Sequence, residues 1–192
     1  MHDTAAYGSS WPRPADLIMD RKILYRMVEE TRQQCRFAQA TFQLLRMRLN
    51  EPDHEKVFLE VHAFLGHVVM VSRMLWPARS SSAARGESLR AELKVAADSP
   101  LRMVGSREQV ERFDEAYEDW LMTLSEAGYV DMNLMPAGTM RGSRQDVFQR
   151  SLDPDMLTFH LRGVRMDLRR FSDALRDLEA AAQQWLRTHN PW

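Results

Sequence analysis

The sequence predicts a mainly α fold: an antiparallel helical bundle built on a long helix hairpin, with a possible small two-stranded β element. Three observations lead there. Apolar residues recur at alternating steps of three and four along four long stretches, the pattern of a helix with one buried face. Proline stands at or beyond the ends of those stretches. The period changes to two only in two short segments, near residues 130 and 160. Residues 1–14 are small, polar and Pro-punctuated and read as a flexible tail, leaving residues 15–192 as a single domain.

In chain order, Leu24, Val28, Thr31, Cys35, Ala38, Phe42, Leu45 and Leu49 form one apolar stripe, so a first helix of about 34 residues is expected from Ala15. Its middle is small (Thr31, Cys35, Ala38), which lets a partner helix come close. Pro52 suits the first turn of a second helix running to Trp76, with Val57, Val61, Phe64, Leu65, Val68 and Leu75 buried. The short connection predicts an antiparallel pair. "ARSSSAARG" reads as a flexible basic loop, and Glu87–Ala96 as a short helix. Ser106 and Gln109 have capping-box spacing, so one continuous helix is expected from Arg107, with Val110, Phe113, Tyr117, Trp120 and Leu124 inward and Gly128 at its end. Residues 129–135 and 156–162 are the candidate strand pair, joined by a polar loop over 137–154. A last helix over 166–189 buries Leu168, Phe171, Leu175, Leu178, Ala182 and Trp185.

Composition narrows the function classes. The formal net charge of −1 gives no global attraction to a polyanion, so any nucleic-acid site must be a local patch. Positive charge is carried by 23 Arg against 3 Lys, a bias that coding composition explains as readily as ligand contacts. The lone Cys35 excludes an intrachain disulfide, and the amino terminus lacks a secretory pattern, so a cytoplasmic protein is expected. The most apolar run, "FLGHVVMV", is too short to span a bilayer, so no membrane association is expected.

The stretch "REQVERFDEAYEDW", Arg107 to Trp120, resembles the motif helix of the HEPN superfamily, all-helical domains built on a long helix hairpin. The segments "VDMNLMPAG", "SLDPDMLTFHLRG" and "MDLRRF" follow in the order seen in uncharacterised bacterial relatives of that superfamily, so the resemblance covers the chain from about Val57. It implies a dimer, a bacterial defence or toxin-type context, and, in active members, metal-independent RNA cleavage by an Arg and a His spaced R-x(4–6)-H. Here Arg107 matches the Arg, but Glu108 follows it and Arg112 stands where the His is expected. A guanidinium stays protonated and cannot exchange a proton near neutral pH, so the family chemistry is expected to be lost.

The expectation is therefore a non-catalytic HEPN-like protein acting through self-association as a homodimer, or through another protein. The alternative is an RNA- or nucleotide-binding protein, or a ribonuclease using Arg107, Glu108, Glu111 and Arg112 in an altered arrangement. Arg107, Arg112, Arg162, Arg165 and Arg169 are the phosphate-binding candidates, with Arg170, Arg141, Arg144 and Arg150 nearby in sequence. Against this, i,i+3 and i,i+4 pairs such as Arg107–Glu111 and Arg112–Glu115 suit an ordinary exposed helix face, and Asp167, Asp173 and Asp177 interleave the later Arg group. His62 and His67 lie roughly 140° apart around their helix and do not make one metal site, so no metal or cofactor is expected. Cys35 is expected to be a buried thiol, and His160 to point outward.

Overall fold

The computed structural model describes residues 20–124, 128–136, 139 and 147–191. The tail over 1–14, the start of the first helix at Ala15, and Arg141, Arg144 and Trp192 lie outside the described residues. The chain is predominantly helical, with a small sheet of four strands.

Three long helices make the core: α1 (Arg21–Arg48), α2 (His54–Leu75) and α6 (Leu168–Thr188). Each starts at an aspartate that accepts a backbone N–H of the first turn: Asp20 from Lys22, Asp53 from Lys56 and Asp167 from Arg170. The α2 start therefore belongs to Asp53, with Pro52 outside the helix rather than in its first turn. Along α1 the predicted stripe from Val28 to Leu45 is buried, and the small residues Thr31, Cys35 and Ala38 are wholly so. Contacts with α2 run in opposite directions, Phe42 to Phe64 and Phe37 to His67. Those with α6 do likewise: Arg32 bonds Gln183, and Gln39 clamps Ser172 through the carbonyl (2.6 Å) and hydroxyl (3.2 Å).

The β element has four strands, not two: β1 (Asn133–Leu134), β2 (Arg150–Asp153), β3 (Thr158–Leu161) and β4 (Val164–Asp167), in the order β1-β2-β3-β4. The two expected segments do not pair with each other. β1 runs parallel to β2, and β3 is antiparallel to both β2 and β4. β2 lies inside the expected polar loop, and β4 takes the place of the expected first turn of the last helix. Such short strands are held by burying Leu152, Phe159 and Met166 in the core, where Phe159 meets Phe58 of α2. The β3–β4 turn is Arg162-Gly163 with φ of 52° and 82°, both left-handed, as a two-residue type I′ hairpin requires.

Between α2 and the sheet, α3 (Ala83–Glu92) starts earlier than expected, and part of "ARSSSAARG" is a 3-10 turn over Ser80–Ser82. The cause is the end of α2. Gly86 packs so closely there that a Cβ would sit 2.6 Å from the Leu75 carbonyl oxygen and 2.5 Å from Pro77 Cδ. We expect Gly86→Ala to destabilise the protein by about 1–3 kcal/mol despite its better helix propensity, measured by urea denaturation. An unchanged midpoint would mean that α3 is not held against α2 in this way.

Candidate functional site

The segment expected to be one helix is two. α4 (Arg107–Glu111) ends at Arg112, whose φ of −111° and ψ of 53° leave the helical region, and α5 (Phe113–Thr123) begins there. The break has a visible cause. Arg162 Nη2 donates to the Gln109 carbonyl at 2.5 Å, the oxygen that the Phe113 N–H takes in an uninterrupted helix. Arg162 Nε donates to Gln109 Oε1 at 3.0 Å, so the glutamine is not available for a capping box. Ser106 turns its hydroxyl to the Met103 carbonyl instead. Gly128 lies beyond the α5 end at Thr123. Of the expected inward stripe only Trp120 is buried, and Phe113 is exposed.

The four motif residues divide into two pairs, Arg107 with Glu111 beside α2, and Glu108 and Arg112 along an open groove. Arg107 Nη1 donates to the Trp76 carbonyl (2.8 Å) and contacts Ser72 Oγ (3.4 Å), at the C-terminal end of α2. Its Nε lies 3.4 Å from Glu111 Oε1, which is also 3.3 Å from Arg73 Nε. Arg107 and Glu111 are largely shielded from solvent, at 21% and 14% exposure, while Arg73 is exposed at the edge of the group. Arg112 is exposed and pairs with Glu115. Glu108 is exposed, on the rim of an open groove of about 350 Å³ running along α4 and α5. That groove carries Glu108, Glu115 and Asp119 against Arg112 and Arg162, a balance that does not favour a polyanion.

The phosphate candidates also separate. Arg165 lies opposite His160 on the sheet face turned away from Phe159, and Arg169 reaches the Asp155 carbonyl. Arg162 is buried at 7% exposure, with its guanidinium 5.0 Å from the centre of the Phe113 ring. It comes together with Arg150, which sequence proximity alone grouped with Arg141 and Arg144. Arg150 Nε lies 3.5 Å from Asp131 Oδ1. Gln149, with its amide turned to suit its neighbours, accepts from Arg150 Nη2 (2.8 Å) and donates to Asp131 Oδ2 (3.3 Å). Over this polar group runs a chain of rings, Phe113, Tyr117, Trp120 and Tyr129, with centres 5.8–5.9 Å apart.

His62 completes the group from α2, its ring edge-on to Phe159. Burial pushes its imidazole down to about 4, the charges of Arg150 and Arg162 push the same way, and Asp131 opposes them. His67 instead bonds Gln34 at 2.8 Å, so the two histidines serve different neighbours. His160 is half-buried rather than fully outward. Cys35 is buried, and burial followed by the charge of Glu179 raises its thiol to about 12, far from a reactive thiolate.

A second feature is the outer side of α2. Its length and apolar composition match those of a membrane span, yet only half of it is buried within the protein. On its outer side Leu59 and Met70 are exposed, with half-buried Ala63 and Gly66 between them, and Phe37 and Leu44 of α1 are also exposed. A Cβ on Gly66 would meet nothing within 4 Å.

No family model, curated protein or solved structure matches this chain.

Two outcomes follow from this geometry. Arg107→Ala should cost about 1–3 kcal/mol by leaving the Trp76 carbonyl without its donor and Glu111 without an ion-pair partner, whereas Arg112→Ala should change stability by less than about 0.5 kcal/mol; paired denaturation curves check this. His62 is neutral when folded and gains its proton near 6.5 when unfolded, so the unfolded chain binds more protons between pH 6.5 and 4. Stability contributed by this group is therefore present above about pH 6.5 and is lost as pH falls towards 4, by about 3 kcal/mol in all. His62→Gln should flatten that part of the pH–stability curve.

Proposed function

We propose that this chain is a non-catalytic, HEPN-like helical protein that acts through self-association, with a second copy docking on the outer face of α2. The observation that carries the reading is the apolar, small-centred strip Leu59-Ala63-Gly66-Met70, exposed at Leu59 and Met70, half-buried at Ala63 and Gly66, and with open space beside Gly66.

The strip is self-complementary. Two copies of α2 related by a twofold axis near Ala63 and Gly66 run antiparallel, the isologous geometry of most homodimers. Leu59 then faces Met70 of the other copy, and Ala63 faces Gly66. Glu55 and Arg73 lie on the same edge of the helix by its 100° step, so each meets its opposite charge across the interface. Arg73 keeps a side-chain exposure of 54% while it contacts Glu111, so its guanidinium has room for a second carboxylate. Small residues at the centre allow the close approach that dispersion needs, and Phe37 and Leu44 extend the apolar area onto α1. The engagement of Arg107 by α2 and the mixed charge of the α4–α5 groove give no comparable support to RNA cleavage or RNA binding.

Light scattering after size exclusion tests this on the wild-type chain and three variants. Gly66→Ala adds a methyl where the protomer has space, so it should raise protomer stability by about 0.5–1 kcal/mol while weakening the dimer at least tenfold. Arg73→Glu should also shift the chain towards monomer, and Glu55→Arg combined with Arg73→Glu should restore the dimer. A wild-type chain that stays monomeric at high micromolar concentration removes the reading.

A further inference from the structure

The group around Arg162 contains more donors than its neighbours satisfy. Three buried nitrogens, His62 Nε2, Arg150 Nε and Arg162 Nη1, have no hydrogen-bond partner among the described residues. They come from three separate elements: α2, β2 and the β3–β4 turn. The two guanidinium nitrogens are donors, and the imidazole nitrogen donates or accepts according to its tautomer. Buried polar atoms in folded proteins are nearly all paired, so three on one group call for an explanation. The charges are also unequal. Among the described residues whose charges act on this group, Arg150 and Arg162 are cationic and Asp131 is the one carboxylate. Ordered water can satisfy an N–H, but it cannot offset a buried positive charge.

We propose that Arg150, Arg162 and His62 form a binding site for a small oxyanion, a phosphate or a carboxylate group held chiefly by the two guanidiniums. A guanidinium presents its N–H groups in a fixed fork that suits two oxygens of one oxyanion. Arg162 is pre-positioned for this. Its backbone is held in a left-handed conformation that favours glycine. Two of its nitrogens are fixed by Gln109, which leaves Nη1 as the one without a partner. The imidazole, kept neutral beside two cations, offers one N–H without adding charge. Access is available from the Arg150–Asp131 edge, where these side chains are 23% and 18% exposed. A metal cation is disfavoured by the two guanidiniums. A long polyanion is disfavoured by the carboxylates along the adjoining groove. A single small anionic group is what remains.

The test uses the full chain at pH 7.5 with inorganic phosphate, acetate or chloride at matched ionic strength. Thermal unfolding and the Nε–Hε NMR signals of arginine are followed together. We expect phosphate or acetate, but not chloride, to raise Tm saturably, by about 3–6 °C at ten times the dissociation constant, and to move two arginine Nε–Hε signals. The anion that saturates at the lower concentration identifies the group as phosphate or carboxylate. Arg150→Gln should weaken binding at least tenfold, and Arg165→Gln, on the other face of the sheet, should leave it unchanged. Arg162→Gln also removes the hold on Gln109, so His62→Ala serves as the second variant. No saturable response beyond chloride, or a response that survives Arg150→Gln, overturns the proposal.

Discussion

The C-terminal end of α2 is where the connecting elements of this protein are tied down. The last carbonyls of a helix have no partners within it and carry the negative end of its dipole. Here three guanidiniums supply the missing donors: Arg85 to the Arg73 carbonyl, Arg90 to that of Leu75, and Arg107 to that of Trp76. Arg85 and Arg90 belong to α3 and Arg107 opens α4, so satisfying one helix end positions two later elements. Arg90 also lies over the Trp76 ring, 5.5 Å from its centre, and Gly86 lets α3 come close enough for both contacts. A lysine ammonium is a compact, strongly hydrated charge and lacks the planar fork that reaches several acceptors at once. The preference for Arg over Lys thus has a structural use in this chain.

Arg162 does the same at a second helix end, with a different consequence. By taking the Gln109 carbonyl it divides a helix that the apolar spacing makes continuous, and it turns α5 so that its rings lie over the Arg150–Asp131 group. Arg107 and Arg162, which as sequence positions suit phosphate recognition, are both engaged with backbone carbonyls. They differ in what is left over. Arg107 is surrounded by Glu111, Ser72 and Trp76, while Arg162 keeps a buried nitrogen with no hydrogen-bond partner among the described residues.

The two sides of α2 show how one helix can meet two demands. The side carrying Val57, Val61, Phe64, Val68 and Leu75 is closed off inside the protomer. The opposite side is also apolar, and it has small residues at its centre where a surface helix normally carries long polar ones. An apolar face on both sides of a helix that is only half enclosed is costly in water unless something covers it.

The sequence by itself determined the helices and their buried faces. The stripes of α1, α2 and α6 are repeated over many turns, and each turn adds to the same signal, so Val28 to Leu45 and Leu168 to Trp185 are buried as their spacing predicts. β1 and β3 fall within the two segments of period two, but tertiary structure alone decided their pairing, the strands β2 and β4, the break at Arg112 and the composition of the polar group. The break comes from a guanidinium 53 positions away from Gln109, and no local pattern at Gln109 or Arg112 reports it. His62, Arg150 and Arg162 meet because α2, β2 and the β3–β4 turn pack together. The available signal was that all three are polar residues beside strongly apolar runs, and a distant partner of that kind is settled by packing rather than by neighbours in the chain.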